Sequence, residues 1–344
     1  MLMKMEKRRK FPLLLVLLPL IFFIMVFIEN NQEFTFTDGN LNEIKHSDLI
    51  PHSPISISGN TALDSFCSGN GTDGLTWNTA HRISGYEIDA GGSGDCIYLY
   101  LTTRYLIIEN CTLYNTTNPG SGIRLDNCNN VKITNVTISD TYYGVYADDS
   151  NYNIIENSTI TSQYNGIKFY DTDYNHIENN TVWSNQSNAI ITDYGDYNNY
   201  TRNVLRSASM SCLNFYDQAS YNLITKNYFN GSVRDDSSSF VAANYWNDTY
   251  NGNYYYDYVS KHPSAPSNGI IYYEAYSISG NPIRYDNKPL VSPYTYQENN
   301  NEPALTNGAV NPGSGNQDTI FTFSVTYTDA DGNEPNYVEC VING

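Results

Sequence analysis

Five copies of one pattern of apolar and polar positions run from Gly122 to about Arg234. They open at Gly122, Gly144, Gly166, Ala189 and Cys212, a step of 22 or 23 residues. Self-similarity at such a period marks a solenoid, whose repeats bury their apolar faces only against one another. The apolar column Ile123, Val145, Ile167, Ile190, Leu213 continues two places on as Leu125, Ala147, Phe169, Thr192, Phe215. Residues two apart share a face only on a strand, so each copy opens with a short strand pointing these side chains inward. An amide column follows: Asn130, Asn153, Asn175, Asn198 and Asn222. Asn tolerates left-handed backbone and bonds its own neighbours, which suits a recurring bend. Tyr152, Tyr174, Tyr197 and Tyr221 stand just before it, placed to stack along one edge.

A second strand is expected at 133–138, 155–160, 177–182, 200–205 and 224–229, each ending on an apolar residue. Alternation sends Glu156, Glu178, Arg202 and Lys226 outward and Ser158, Asn180, Asn203 and Asn227 inward. Stacked inward amides form a ladder, each bonding the next. Leucine-rich helical halves and a 3.6-residue period are both absent, and a chain rich in Asn and Tyr is a poor helix former. The expected fold is therefore all-β, a parallel β-helix of 22–24-residue coils. The Gly-Ile/Val openings and the Asn-Ser-Thr-Ile and Asn-Asn-Thr-Val strands resemble the right-handed parallel β-helix repeats of NosD-like proteins. They equally resemble the wider group of carbohydrate-binding and sugar-hydrolysing β-helices. The resemblance covers roughly residues 55–294 and implies a fold, since many chemistries share the scaffold.

Lys4, Lys7, Arg8, Arg9 and Lys10 precede Phe11–Ile28, an uncharged apolar run that includes two prolines. Residues 1–30 thus read as a signal peptide or, since no small-x-small cleavage site follows, a signal anchor through an N-terminal hydrophobic helix. Residues 31–54 read as a linker. The solenoid with its caps is expected at 55–294, with strands at Ile55–Ile57 and Ile83–Ile88 and a less regular coil at Cys96–Thr117. In that coil Ile97, Leu99, Ile107, Cys111 and Leu113 fall into the apolar columns. After Arg234 the period fails. Asn244-Tyr245-Trp246, Ser277–Gly280 and Asp286-Asn287-Lys288-Pro289-Leu290 resemble the closing segment of NosD-like helices, with a Tyr-rich loop in place of the Gly/Asp-rich one. A linker at 295–303 leads to 304–344, where Thr319–Tyr327 alternates strictly. This stretch looks like the start of an immunoglobulin-like module, a partial β-sandwich too short to be complete.

Charge narrows the partners. The chain carries a formal −18, and without the leader's five basic residues and one acidic residue the balance is 13 against 35. Such a surface repels nucleic acid and anionic membranes, so a membrane contact is expected through the leader alone. The exported chain is placed at the cell surface, with carbohydrate or other surface proteins as partners. Ten Asn-x-Ser/Thr sequons accompany this. Asn110, Asn135, Asn157 and Asn179 share one outward strand position and are the glycosylation candidates. Disulfides are permitted outside the cell, yet Cys111 and Cys212 fall at inward positions and read as buried thiols.

Asp148, Asp149, Asp171, Asp173, Asp193, Asp196 and Asp217 recur after the first strand of successive coils and line one edge. With Tyr146, Tyr170, Tyr194 and Tyr216 they make a candidate sugar-binding row, carboxylates taking hydroxyls and rings packing on sugars. A solvated edge of good turn residues is the plainer account. The polygalacturonase-like pairing of aspartates with Gly-His-Gly and Arg-x-Lys is absent from the repeats. Arg124 and Lys168 stand isolated in the sequence, and His176 reads as a surface strand residue, so no catalytic residue is assigned. No cofactor is expected. Asp329, Asp331 and Glu334 offer oxygen ligands for Ca²⁺ or simply an acidic turn. Copper delivery wants clusters of His, Met or Cys, whereas the exported part has five scattered histidines and Met210. The reading is a non-catalytic role in adhesion, glycan binding or envelope structure. A polysaccharide lyase or hydrolase using the aspartate edge is the alternative, and a copper accessory the third.

Overall fold

The computed structural model describes residues 49–237 and 243–294, together with the backbone of Ala304–Asn311 and Thr322–Thr328. The leader, most of the 31–54 linker, the 295–303 linker, Cys340 and the acidic triplet Asp329, Asp331 and Glu334 lie outside the described residues. No helix among the described residues is long and apolar enough to cross a membrane. The two C-terminal strands pair antiparallel, Ala304 opposite Thr328. The rest of the expected partial module lies outside the described residues.

Each coil contributes three strands, and strands of successive coils pair in parallel into three stacks. The first stack includes Ile97–Tyr100, Ser121–Asp126, Tyr143–Asp148, Ile167–Tyr170 and Ile190–Asp193. The second is a seven-stranded sheet from His81–Ser84 to Leu223–Thr225. The third includes Thr112–Tyr114, Thr137–Thr141, Thr159–Ser162 and Thr181–Ser184. Val204–Asp217 and Tyr228–Ser237 bend from the third stack into the first, joining the two into one 17-stranded sheet. The register puts Ile123, Val145, Ile167, Ile190 and Leu213 side by side, with Leu125, Ala147, Phe169, Thr192 and Phe215 beside them. All ten are buried. Both columns are thus the predicted ones.

The structure corrects the sequence reading in five places. The single second strand is two strands, Ile154–Glu156 and Thr159–Ser162 in one coil, divided by left-handed Asn157 (φ 50°). The sequon residues Asn110, Asn135 and Asn179 (φ 53°, 51° and 53°) occupy the same bend in other coils, so the four are bend residues and not strand residues. Asn130 (φ 63°) occupies the bend position of Tyr152, and it is Val131, not Asn130, whose backbone N–H donates to Asn153 Oδ1. Ile107 pairs with outward Lys132, leaving Leu106 and Ile108 as the core residues of that strand. Ile83–Ile88 breaks at left-handed Gly85 (φ 75°) into strands of the second and third stacks. Gly144 shows why copies open on glycine: a Cβ there would strike the Ile160 side chain and the Gly166 carbonyl of the neighbouring coil.

Two amide ladders run through the interior. In one, the Oδ1 of Asn175, Asn198, Asn222 and Asn244 accepts the backbone N–H of the corresponding Asn one coil earlier, at 2.8–3.1 Å. In the other, Ser158, Asn180, Asn203, Asn227 and Asn253 are linked in the same way at 2.9–3.1 Å. These amides satisfy backbone groups that a bend would otherwise bury unpaired. The inward Asn column is therefore a ladder, as its register implies. Both ladders end on buried carboxylates in the C-terminal cap. Asn244 Nδ2 donates to Asp235, and the backbone N–H of Asn253 donates to Asp286 Oδ2 at 2.7 Å.

At the other end, a helix at Asn60–Phe66 caps the first coil through buried Leu63. Asp64 accepts both Arg104 (2.8 and 2.9 Å) and buried His81 (2.9 Å). Arg104 first and His81 second hold its carboxyl down at about 2. Cys67, Cys96, Cys111, Cys128 and Cys212 are buried free thiols. Burial lifts Cys96 and Cys212 to about 12 and Cys111 to about 11.

One core position of the second stack departs from its aliphatic rule. Tyr200 takes the inward place of Ile177 and Ile224 in the second stack, fully buried, and its hydroxyl meets Thr192 Oγ1 at 2.6 Å. Thr192 in turn sits in the Phe169 and Phe215 column, so the two exceptions answer each other. Tyr200→Phe strands a buried Thr hydroxyl and should cost about 1–3 kcal/mol by urea unfolding. Pairing it with Thr192→Val should recover part of that loss.

Candidate functional site

The predicted aspartates and tyrosines fall on adjoining columns where the first stack turns toward the second. The outward residues of the first stack include Tyr98, Arg124, Tyr146, Lys168, Ile191, Asn214 and Arg234, in register coil by coil. Two residues on, the column reads Tyr100, Asp126, Asp148, Tyr170, Asp193, Tyr216. The next position is left-handed throughout: Asn127, Asp149, Asp171, Tyr194 and Asp217 have φ between 46° and 58°. Small polar residues reach this region most easily, which explains why Asp and Asn crowd the turn.

Arg124 and Lys168 are not isolated. The Arg124 guanidinium lies 5.3 Å from the centres of both the Tyr98 and Tyr146 rings and 3.6 Å from Asp126. Lys168 Nζ lies 5.1 Å from Tyr146 and 5.8 Å from Tyr143. Ring and cation thus alternate from Tyr98 to Lys168, with Arg124 between two ring faces and Lys168 against the rings of the preceding coil. The Tyr146 hydroxyl donates to Asp148 at 3.2 Å, and Tyr98 to Asp126 at 3.4 Å. Burial, then the Asp148 charge, pushes the Tyr146 hydroxyl up to about 12. Burial first, and then like charge among the acids, lifts Asp148 and Asp171 above the ordinary carboxylate value. Asp193 is lifted chiefly by burial.

The strip therefore gathers Tyr146, Asp148, Tyr170, Asp193 and Tyr216, flanked by Asp149, Asp171, Tyr194 and Asp217. Asp173 and Asp196 stand apart. Asp173 accepts the Asp196 N–H at 2.8 Å and Asp196 the Ser220 N–H at 2.7 Å, so both tie coils together. Tyr98, Tyr100 and Asp126 are members that the sequence reading missed. The signal was there, because Asp126 lies one repeat before Asp148. The tyrosine edge is a separate row: Tyr152, Tyr174, Tyr197 and Tyr221 stack at 4.8–5.2 Å with rings within 4° of parallel. His176 is a partly buried strand residue on the second stack, 2.5 Å from Glu178. At the C-terminal end a hollow of about 220 Å³ is lined by Lys261, Tyr276 and Asp257, whose polar groups bond one another. Among the described residues no three His, Cys, Asp or Glu converge on a metal position.

The family model described as periplasmic copper-binding protein (NosD) matches residues 53–260, more than half of the chain. No curated protein matches. Among solved structures, the Agl-KA catalytic domain is similar at TM-score 0.36 and 16% identity over 60% of this chain. The chain spans 48%, about half, of that one. An alginate lyase from Paenibacillus sp. str. FPU-7 scores 0.29 at 16% identity, covering 59% of this chain and 97% of its own. The Dettilon tailspike protein scores 0.24 at 11% identity, with 60% and 54% covered. At such scores nothing of these proteins' activities carries over.

Proposed function

The chain belongs to the NosD family, and from that premise we propose that it is a cell-envelope β-helix that binds glycan along its first-stack strip without turnover. The observation that supports the reading is the strip itself: exposed Tyr100, Tyr170 and Tyr216 interleaved with Asp126, Asp148 and Asp193 in one column. Tyr rings pack on the apolar faces of sugars while carboxylates accept hydroxyls. Envelope placement is supported by the periplasmic description of the family and by the cationic, apolar leader in the sequence.

Copper, named in the family description, does not fit the donors present. A copper centre draws on clustered His, Met or Cys. Here His81 serves Asp64 and Thr72, His176 serves Glu178, and His262 serves Glu274. Met210 sulfur accepts from Ser187, and the five described thiols are buried. The described residues offer no soft cluster.

A lyase or hydrolase acting through the aspartates remains the competing reading, favoured by Arg124 beside Asp126. Against it, Arg124 is held between two rings and Asp148 is engaged by Tyr146, which suits a fixed recognition surface. Tyr170→Ala and Asp148→Ala separate the two. On the binding account each should weaken glycan affinity about tenfold, 1.4 kcal/mol, with no product formed by the parent chain. Product that disappears in Asp148→Ala is the result that would install the enzyme reading.

A further inference from the structure

We propose that the strip takes a neutral polysaccharide, laid as a linear chain along the helix axis; this rests on the glycan-binding reading above. Direction comes from the repeat. Equivalent positions recur once per coil, about 4.8 Å apart, so a ligand of repeating units meets equivalent groups only if it runs along the axis. A ligand lying across the axis meets one rung. The column from Tyr100 to Tyr216 continues through six coils, and three of its members are exposed rings. The site is thus built for length, and short saccharides engage a fraction of it.

Charge decides the class. Arg124 and Lys168 are the cations in the middle of the strip, both covered by tyrosine rings, and Arg234, next in register after Asn214, is paired with Asp236. Around them stand Asp126, Asp148, Asp149, Asp171, Asp193 and Asp217. A uronate or sulfated chain would bring further negative charge against this row, on a protein of net charge −18. A polycation is attracted by the acids but must pass the two fixed positive groups at the middle of the strip. A neutral polyol meets neither objection.

The test uses the full chain in affinity electrophoresis and calorimetry against three soluble probes: a neutral β-glucan, polygalacturonate and chitosan. The expected result is binding to the neutral chain, unchanged between about 50 mM and about 500 mM salt. A hexasaccharide should bind at least about tenfold tighter than a disaccharide. Tyr216→Ala, at an exposed ring, should weaken the neutral chain by a similar factor without changing the melting temperature. Salt-sensitive binding to polygalacturonate or chitosan alone overturns the neutral class and leaves the glycan reading standing. Equal affinity for the disaccharide and the hexasaccharide overturns the axial arrangement. Failure of all three probes removes the glycan reading and this inference with it.

Discussion

Asn203→Ala should destabilise the chain by about 3–5 kcal/mol, among the largest costs that one substitution can impose here. Asn203 is fully buried at the centre of the second ladder. Its Oδ1 accepts both the backbone N–H (3.0 Å) and the Nδ2 (3.1 Å) of Asn180. Its Nδ2 donates to the Ile177 carbonyl at 2.8 Å and to Asn227 Oδ1 at 3.0 Å. Alanine leaves the Asn180 backbone N–H and the Ile177 carbonyl buried without this partner, strips one bond each from Asn180 Nδ2 and Asn227 Oδ1, and adds a cavity. Low-dielectric surroundings raise the cost of each orphan. Asn203→Asp should also be costly: a carboxylate supplies the acceptor but lacks the donor that Ile177 and Asn227 require. Urea unfolding followed by circular dichroism reads both. A loss below about 1 kcal/mol for Asn203→Ala would mean that the ladder is ornamental.

Removal of Asp286 should release the C-terminal cap at a similar cost, again about 3–5 kcal/mol. Its Oδ2 accepts the backbone N–H of Asn253 (2.7 Å) and the Tyr255 hydroxyl (3.0 Å), while Oδ1 accepts the Lys288 N–H (2.9 Å). Gly252 is fixed by this packing, because a Cβ there would strike the carboxylate. Burial raises the Asp286 carboxyl to about 7, against the opposing pull of these donors. The folded value lies above that of an unfolded carboxylate, about 3.9, so the native state holds the proton more tightly. Stability is therefore gained as pH falls through 7 and is complete below the unfolded value. The lifted strip acids Asp148, Asp171 and Asp193 act in the same direction. Asp64, held at about 2, gives stability that is lost only as pH falls below about 4. The melting temperature should thus be higher at pH 5 than at pH 8, by on the order of 5 °C. In Asp286→Ala the whole curve should drop and its slope should shrink. A melting temperature that falls from pH 8 to pH 5 would contradict the assignment.

The apolar columns were legible because every inward pair repeats at one period and alternation leaves a strand no other face. The bends were less so. Left-handed positions in the five regular copies are filled by Asn, Asp and Tyr, and even by Arg202 (φ 56°) and Lys226 (φ 60°), so no glycine there marked the break between the second and third strands of a coil. The amide ladders could be anticipated from inward Asn, but not their ends. Asp286 lies 33 residues beyond Asn253, outside the period, and its role emerges only when the cap folds back. Of the strip, the aspartates and tyrosines were visible as recurring turn residues. Arg124 and Lys168 looked unconnected because two full repeats separate them, whereas the coil places them on either side of Tyr146. Asp173 and Asp196 share the type and spacing of the strip acids, and only hydrogen-bond geometry separates their structural task.

The measurement that bears most directly on this account is binding of the chain to an array of glycans, with released reducing ends and unsaturated sugars followed in the same wells. The account predicts retention on polysaccharide, lost in Tyr170→Ala, and no product over the course of the assay. Release of product from a bound glycan would contradict it and make the aspartates of the strip catalysts.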